Sequence, residues 1–443
     1  MHVKQQNEHR DSFSNKIGFT LSCIGSSVGM GNIWMFPYRV GQYGGAAFLV
    51  PYTLFVIIIG FSGVIGEMAF GRAMKSGPIN AFNNAVKQRT NKNWGTILGF
   101  IPVIGSLLVA IGYSVVVGWI FKFTVSSITM SFLKIEPLEY FNTISGSFSN
   151  VPWHILGLIV TLSIMILGVS KGIEKLNKVL MPTFFILFFI LAVRVAFLPN
   201  SLLGYNYLFK LNWSDFANLK TWIFALGQAF FSLSLAGSGT LIYGSYLKDN
   251  ENIISCAKNV AIFDTIAALL AAITIIPAIF SFGLDLQSGP ALMFIAMPNV
   301  FKQMPLGQIF ACVFFIAVLF AAITSLVNLF EAPIEALQTH LKISRKQSTA
   351  LIFAISATIG ILIENATILS KWMDILSIYI IPLGALLAGI MFFWVCKPNF
   401  ARTQVEKGLA KPLGKWFEPM TKYVFIGLTL IIYILGILLG GIE

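Results

Sequence analysis

GSSVGMGNIWMFPY, residues 25–38, lies inside an apolar run that begins at Ile17 and continues past Tyr38. Three glycines and a proline sit badly in an ordinary membrane helix. Each glycine costs a helix interior about 1 kcal/mol relative to alanine, and a proline costs about 3 kcal/mol. Backbone that faces lipid cannot leave its N–H and C=O groups unpaired, so a helix broken at this depth must face protein or a water-filled cavity. The stretch therefore reads as a helix interrupted between Gly25 and Gly31. Its freed carbonyls are available to a cation and its freed N–H groups to an anion.

The rest of the chain has the composition to house such a break. Of 443 residues, 56% are hydrophobic and 11% charged, against about 25% charged in a soluble domain. With a mean hydropathy of +0.81, the chain is an integral membrane protein. A hydrocarbon core of ~30 Å needs roughly 20 apolar residues per crossing. Eleven such runs fall at 17–42, 45–70, 96–127, 152–170, 177–198, 221–246, 257–284, 305–338, 348–364, 372–396 and 420–441.

The net charge of +12 is distributed by topology. Lys and Arg gather at 1–16, 72–92, 171–178, 248–258, 342–346 and 397–422, every second connection, which places these segments and the N-terminus in the cytoplasm and the C-terminus outside. A nucleic-acid partner is therefore excluded as the reason for the charge. Residues 1–16 are polar and lack the apolar core of a signal peptide, so the first span is retained. The expected division is a cytoplasmic segment 1–16, five spans in 17–200, five in 201–396, a cytoplasmic loop 397–419, and the eleventh span with an external C-terminus in 420–443. The eleventh span has no polar residue of note and reads as packing or a homodimer surface. Cys23, Cys256, Cys312 and Cys396, like His2, His9, His154 and His340, are scattered, so no disulfide framework or metal cluster follows. No nucleophile–base pair assembles, and an enzyme is not expected.

The polar residues inside the spans are few. Glu67 in the second span is a structural buffer beside a broken helix or a coupling residue, since a carboxylate at that depth costs at least ~2.5 kcal/mol unless paired, protonated or wet. Val109, Tyr113 and Val116 share one face of the third, where Tyr113 is core or ligand. In the sixth, residues 232–240 are small and hydroxyl-rich in the middle of an apolar run, repeating the anomaly of the first. Broken segments at matching positions of two inverted halves point to a transporter site at the bilayer midplane. Asp264 in the seventh is an ion-coupling candidate. Ala321, Thr324 and Ser325 share a face of the eighth, where hydroxyls either bond back to their own helix or serve as ligands. Residues 287–304 read as a short re-entrant external lid, and 128–150 as an extracellular cap. Asp374 lies near the outer mouth. Arg10 and Phe13, just before the first span, are an interface anchor or an inner latch.

GSSVGMGNIWMFPYRVGQYGGAAFLVPY, GEMAFGR, GYSVVVGW, GQAFFSLSL and FAAITS, in this order and spacing, resemble the neurotransmitter:sodium symporter family, in its bacterial amino-acid-transporting branch, over residues 10–396. The resemblance implies an all-α, LeuT-like fold of two inverted five-helix repeats with interrupted helices 1 and 6, plus an eleventh helix. It also implies two sodium sites. One would use the Ser27 carbonyl, Asn32, Ser232, Asp264 and the substrate carboxylate. The other would use the carbonyls of Gly25, Val28 and Ala321 with the hydroxyls of Thr324 and Ser325. Hard cations prefer oxygen ligands, and a ligand shared with substrate makes each binding depend on the other. The substrate carboxylate would lie beside Ser27, against the N–H groups around Met30 and Gly31 and the Tyr113 hydroxyl. Its ammonium would meet carbonyls near Phe231 and Ser232, and its side chain Val109, Phe231, Ser234, Gly237, Ser325 and Leu329.

Four positions depart from the family pattern. Met35 replaces the arginine that pairs with Asp374 at the outer gate. Gly237 replaces a bulky residue, which enlarges the pocket for an aromatic or long apolar side chain. Asp264 replaces asparagine and supplies a fixed charge in place of chloride. Thr339 stands where an acidic partner for Arg10 is expected. The resulting expectation is a sodium-coupled importer of a neutral amino acid in the cell (inner) membrane. A proton-coupled or sodium-independent carrier, with Asp264 or Glu67 titrating, and a non-transporting amino-acid receptor remain as alternatives.

Overall fold

The computed structural model describes residues 11–146, 148–235, 238–284, 286 and 292–441. Among them, eight helices are long and apolar enough to cross a membrane: Ala46–Met74, Gly95–Thr129, Phe148–Ile166, Val169–Ala196, Ile253–Ser281, Gly307–Leu341, Ala366–Val395 and Phe417–Leu439. These are the second to fifth, seventh, eighth, tenth and eleventh spans. The other three runs fall short for identifiable reasons. The first is split into Lys16–Ser27 and Phe36–Gln42, and the sixth into Leu219–Ser232 and Gly239–Gly244. The ninth, Arg345–Leu362, is only 18 residues long and opens on the polar turn Arg345 to Thr349.

The two breaks have different local causes. In the sixth span, Ser234 (φ 55°) and Ser238 (φ 58°) take left-handed backbone, which an L-residue enters at a cost and which stops the helix. In the first, Val28 turns extended (ψ 101°) after Ser27, and a wide π-type turn at Gly31–Met35 resumes the helix. None of Gly25, Gly29 and Gly31 has a positive φ. They are required by close approach instead. A Cβ on Gly25 would lie 1.9 Å from Asn177 Oδ1, one on Gly29 2.3 Å from Ser325 Oγ, and one on Gly31 2.8 Å from Phe231 Cδ1. The glycines let the fifth, eighth and sixth spans press onto the broken segment.

Packing follows the pattern an in-plane two-fold axis demands. The first span packs on the seventh and the sixth on the second, pairs that exchange when each helix is advanced by five, and the third packs most extensively on the eighth, a pair that maps onto itself. The fold is thus two inverted five-helix repeats with an eleventh helix outside them. The eleventh is the least covered, with 22% of its most apolar window buried. The cap at 128–150 contains its own helix, Pro137–Ser145, and the described part of the lid forms Ala296–Gln303.

At one end of the bundle, four spans are tied together by a single buried charge pair. Arg345 donates to both oxygens of Glu331, at 2.9 and 2.7 Å, and through Nε to the Met165 carbonyl at 2.6 Å. Tyr246 donates to Glu331 Oε1 at 2.7 Å. Glu331 has no exposed surface, so losing its cation leaves an uncompensated buried charge, a cost of about 3–5 kcal/mol. Arg345→Ala is expected to lower the melting temperature of the detergent-solubilised protein sharply. The double variant Glu331→Met/Arg345→Met should recover most of the loss, because an apolar pair restores packing without a stranded charge. A single variant melting like wild type would show that the pair does not hold these spans.

Candidate functional site

The two breaks face each other across a cavity. It is lined by Ser26, Ser27, Gly29, Met30 and Gly31 of the first span, Val109 and Tyr113 of the third, Phe231, Ser232 and Ser234 of the sixth, Ser325, Asn328 and Leu329 of the eighth, and Ile381 of the tenth. One pole is polar. The Met30 N–H, freed by the break, donates to the Tyr113 hydroxyl at 3.1 Å, and the Gly31 carbonyl accepts from Gln228 Nε2 at 2.9 Å. The other wall is apolar, where Val109 packs with Leu376 and Ile381. Ser234, held in its left-handed turn, donates to the Ser26 carbonyl at 2.7 Å and links the two breaks.

Beside the polar pole sits a buried carboxylate with only neutral partners. Asp264 accepts from Asn32 Nδ2 at 2.8 Å, from Ser232 Oγ at 2.9 and 2.8 Å and from the Tyr52 hydroxyl at 3.3 Å. Asp264 and Asn32 have no exposed surface. Among the described residues, no basic side chain pairs with Asp264. A buried charge without a counter-ion is costly, so the cluster suits a cation. The Ser27 hydroxyl beside the cavity is also buried without a partner, an orphaned oxygen of the kind a hard ion or a polar ligand satisfies.

A second oxygen-rich point lies where the eighth span crosses the first. Ser325 Oγ stands 3.3 Å from each of the carbonyls of Gly25, Ser26 and Val28. Thr324 Oγ1 bonds back to Phe320 and Ala321 at 3.1 and 3.0 Å. Of the two hydroxyls, one serves its own helix and the other reaches across. The structure thus brings Gly25, Val28, Ala321, Thr324 and Ser325 together, a set of neutral oxygens fitting an alkali cation. Among the described residues, no group of three or more His, Cys, Asp or Glu could hold a metal ion.

The gates differ from a simple ion-pair scheme. Asp374 is exposed, and Met35 is half-buried one residue after Trp34. Trp34 packs edge-on against Phe294 of the lid, centroids 6.1 Å apart. Phe294 in turn stacks on Phe141 of the cap at 5.2 Å and meets Trp119 at 5.7 Å. The lid and cap therefore meet over the break through aromatic rings. Below it, Phe13 is 3% exposed and wedged among Phe19, Tyr243 and Tyr246, a packed plug rather than a surface anchor. Arg10 and Gly237 lie outside the described residues, and Thr339 donates to Glu335. Glu67 accepts from Thr240 just past the sixth-span break.

Residues missed in the sequence are Tyr52, Asn328, Ile381 and Phe294. Tyr52 carried a usable cue, a phenol following a proline within the apolar second span. Asn328 lay one turn from Thr324 on the same helix. Nothing local singles out Ile381 or Phe294.

A family model described as the sodium:neurotransmitter symporter family matches residues 10–143 and 132–439. The chain belongs to that family. Relatives include the uncharacterized sodium-dependent transporter YhdH of Bacillus subtilis, 36% identical over 72% of this chain and 70% of that protein. A sodium-dependent transporter of Haemophilus influenzae is 33% identical over 78% of each chain. The crystal structure of MhsT in complex with L-phenylalanine superposes with a TM-score of 0.86 at 31% identity, covering 96% of this chain and 99% of MhsT. As a member of this family, the protein is a multi-pass, sodium-dependent membrane transporter.

The Asp264 cluster makes a prediction that needs no ligand. Asp264→Ala strands the Asn32, Ser232 and Tyr52 donors, each unsatisfied buried group costing about 1–3 kcal/mol, whereas Asp264→Asn keeps an acceptor oxygen. Thermal unfolding in sodium-free buffer should place Asp264→Asn above Asp264→Ala. Equal stability of the two variants would show that the donors are satisfied elsewhere.

Proposed function

We propose that the protein imports a neutral amino acid with a large apolar or aromatic side chain by sodium-coupled alternating access, without a requirement for chloride. The observation that carries this reading is the polarity of the cavity. A freed N–H and a phenol mark one pole, set between a buried carboxylate cluster and an apolar wall of Val109, Phe231, Leu329 and Ile381. An amino acid is the ligand whose carboxylate fits that pole while its own charge helps bind the first cation. Likeness to a transporter solved with L-phenylalanine supports the substrate class.

In this reading, one sodium ion sits among the Ser27 carbonyl, Asn32, Ser232, Asp264 and the substrate carboxylate. A second sits among the Gly25, Val28 and Ala321 carbonyls and the Thr324 and Ser325 hydroxyls. Met30, Gly31 and Tyr113 hold the carboxylate. Ser234, Gly237 and Ser325 complete the side-chain pocket. Sodium sets the broken helices in a state open to the outside, and substrate completes the first site and permits closure by the Trp34 and Phe294 contact, with Met35 filling the place of a gate ion pair beside Asp374. The N-terminus faces the cytoplasm, where Arg10 and Phe13 close the inner side, and the C-terminus is external. Each sodium charge moved across 100 mV contributes about 2.3 kcal/mol.

Uptake of labelled L-phenylalanine into proteoliposomes should require sodium and vanish in the double variant Thr324→Ala/Ser325→Ala. Unchanged sodium dependence in that variant would remove the second-site assignment. Because Asp264 carries its charge next to Tyr52 and Ser232, replacing chloride by gluconate should leave uptake intact. Strict chloride dependence would sink the role given to Asp264. Uptake of other amino acids but not phenylalanine, in a panel of all twenty, would overturn the aromatic preference alone.

A further inference from the structure

A second cavity lies where the tenth span ends and the eleventh begins, and it shares no residue with the one between the two breaks. Its volume is 220 Å³, and the charged side chains on its lining are Arg89, Lys397, Arg402, Glu418 and Lys422. Part of the lining is apolar, where Phe393 and Phe417 are buried and meet edge-on with centroids 6.2 Å apart. Both spans are wound wide at this level, in π-type turns at Met391–Val395 and Met420–Phe425. Turns of that kind are frequent at functional sites.

The positive charges on the lining are not matched by negative ones. Arg402 takes up the one carboxylate, donating through Nε and Nη2 to the two oxygens of Glu418. Its Nη1 serves Glu406 at 3.2 Å and the Leu413 carbonyl at 2.8 Å. Arg89 gives one N–H to the Cys396 carbonyl at 2.8 Å. Among the described residues, Arg89 pairs with no carboxylate, and the ammonium groups of Lys397 and Lys422 have no hydrogen-bond or ion-pair partner. Lys422 senses the charge of Glu418, but both oxygens of that carboxylate are already taken by Arg402.

The aromatic residues fix the depth of this cavity. Trp394, on its lining, is 49% exposed, and Tyr423 is 64% exposed. Their rings meet edge-on at 5.8 Å, and the Trp394 indole N–H donates to the Lys422 carbonyl at 3.2 Å. Tryptophan and tyrosine at the ends of membrane helices sit at the level of the lipid headgroups. This is also the basic end of the bundle. Arg72 donates to the carbonyls of Glu251 at 2.6 Å and Lys407 at 3.3 Å, which gathers the basic connections 72–92, 248–258 and 397–422 on one side.

We propose that this cavity binds the headgroup of an anionic phospholipid from the adjoining leaflet, with Arg89, Lys397 and Lys422 around its phosphate. Basic pockets between spans at the headgroup level suit such lipids. The Arg89 guanidinium keeps N–H groups for phosphate oxygens, and the lysines act as point charges. A headgroup with net negative charge is favoured over a zwitterionic one, whose ammonium would bring a further cation beside the two lysines. The three cations come from different elements. Arg89 follows the helix Pro78–Lys87, Lys397 follows the tenth span, and Lys422 lies in the wide turn of the eleventh. A headgroup shared among them pins the eleventh span, the least covered, to the repeats. Binding therefore stabilises the folded chain by mass action. The proposal is independent of which amino acid is carried.

The test uses the full-length protein, stripped of lipid in dodecyl maltoside micelles. Phosphatidylglycerol, phosphatidylcholine with the same acyl chains, or inorganic phosphate is then added. Native mass spectrometry should show one phosphatidylglycerol retained in preference to phosphatidylcholine, and the melting temperature should rise with phosphatidylglycerol alone. Lys397→Gln/Lys422→Gln should weaken that retention by about thirtyfold, the combined worth of two basic side chains near an anionic headgroup. Lys411→Gln/Lys415→Gln removes the same charge from exposed positions of the same loop and should leave retention unchanged. Equal retention of the two lipids, or equal weakening by the two double variants, overturns the site. A melting rise with inorganic phosphate that matches the one with phosphatidylglycerol overturns the lipid as its occupant. If the double variant does not fold, the wild-type chain decides. Phosphatidylglycerol with a photoreactive group beside its phosphate should label peptides within 389–397 or 416–425, and labelling confined to other parts of the chain overturns the proposal.

Discussion

A carbonyl or amide released at the depth of a bilayer has no water to bond to, and the whole architecture is arranged around that fact. The break after Ser27 releases such groups in one place, and every neighbouring span contributes to their accommodation. The eighth brings Ser325 to three of the freed carbonyls. The third brings Tyr113 to the freed Met30 amide, and the sixth brings Gln228 to Gly31. Each partner is a neutral hydroxyl or amide, so the freed groups are satisfied without a charge being buried beside them.

The same constraint explains why the glycines are where they are. Read locally, Gly25, Gly29 and Gly31 weaken a helix; in the folded chain their φ values are ordinary and their missing side chains matter more. Contacts at the distances seen for Asn177, Ser325 and Phe231 cannot form against a Cβ. The sixth span solves its own break differently, through serines in left-handed backbone. Two halves related by an in-plane axis have thus reached equivalent interruptions by unlike local chemistry.

The charged groups divide by what surrounds them. Glu331 has a bidentate cation and closes one end of the bundle. Asp264 has only neutral donors and sits beside the cavity. Glu364 has a histidine and an amide, His154 and Asn150, as partners between the ninth and tenth spans. Burial is nearly complete for all three, so each depends on the groups beside it for compensation.

The sequence by itself determined the membrane class, the order of the spans, the two interruptions and most of the residues around them, because apolar length, misplaced glycines and intramembrane carboxylates are costs that can be read one residue at a time. The eleven runs and the breaks in the first and sixth were legible; that, among the described residues, the ninth also falls short of a long apolar helix was not, since its helix opens on the polar turn Arg345 to Thr349. Tertiary structure alone decided which distant side chains meet. Tyr52 reaches Asp264, and Phe294 roofs Trp34. Ile381 lines the cavity from the tenth span, and His154 finds both Ser114 and Glu364. These pairings depend on how helices cross, and the crossing is set by packing over the whole bundle, which no local stretch encodes.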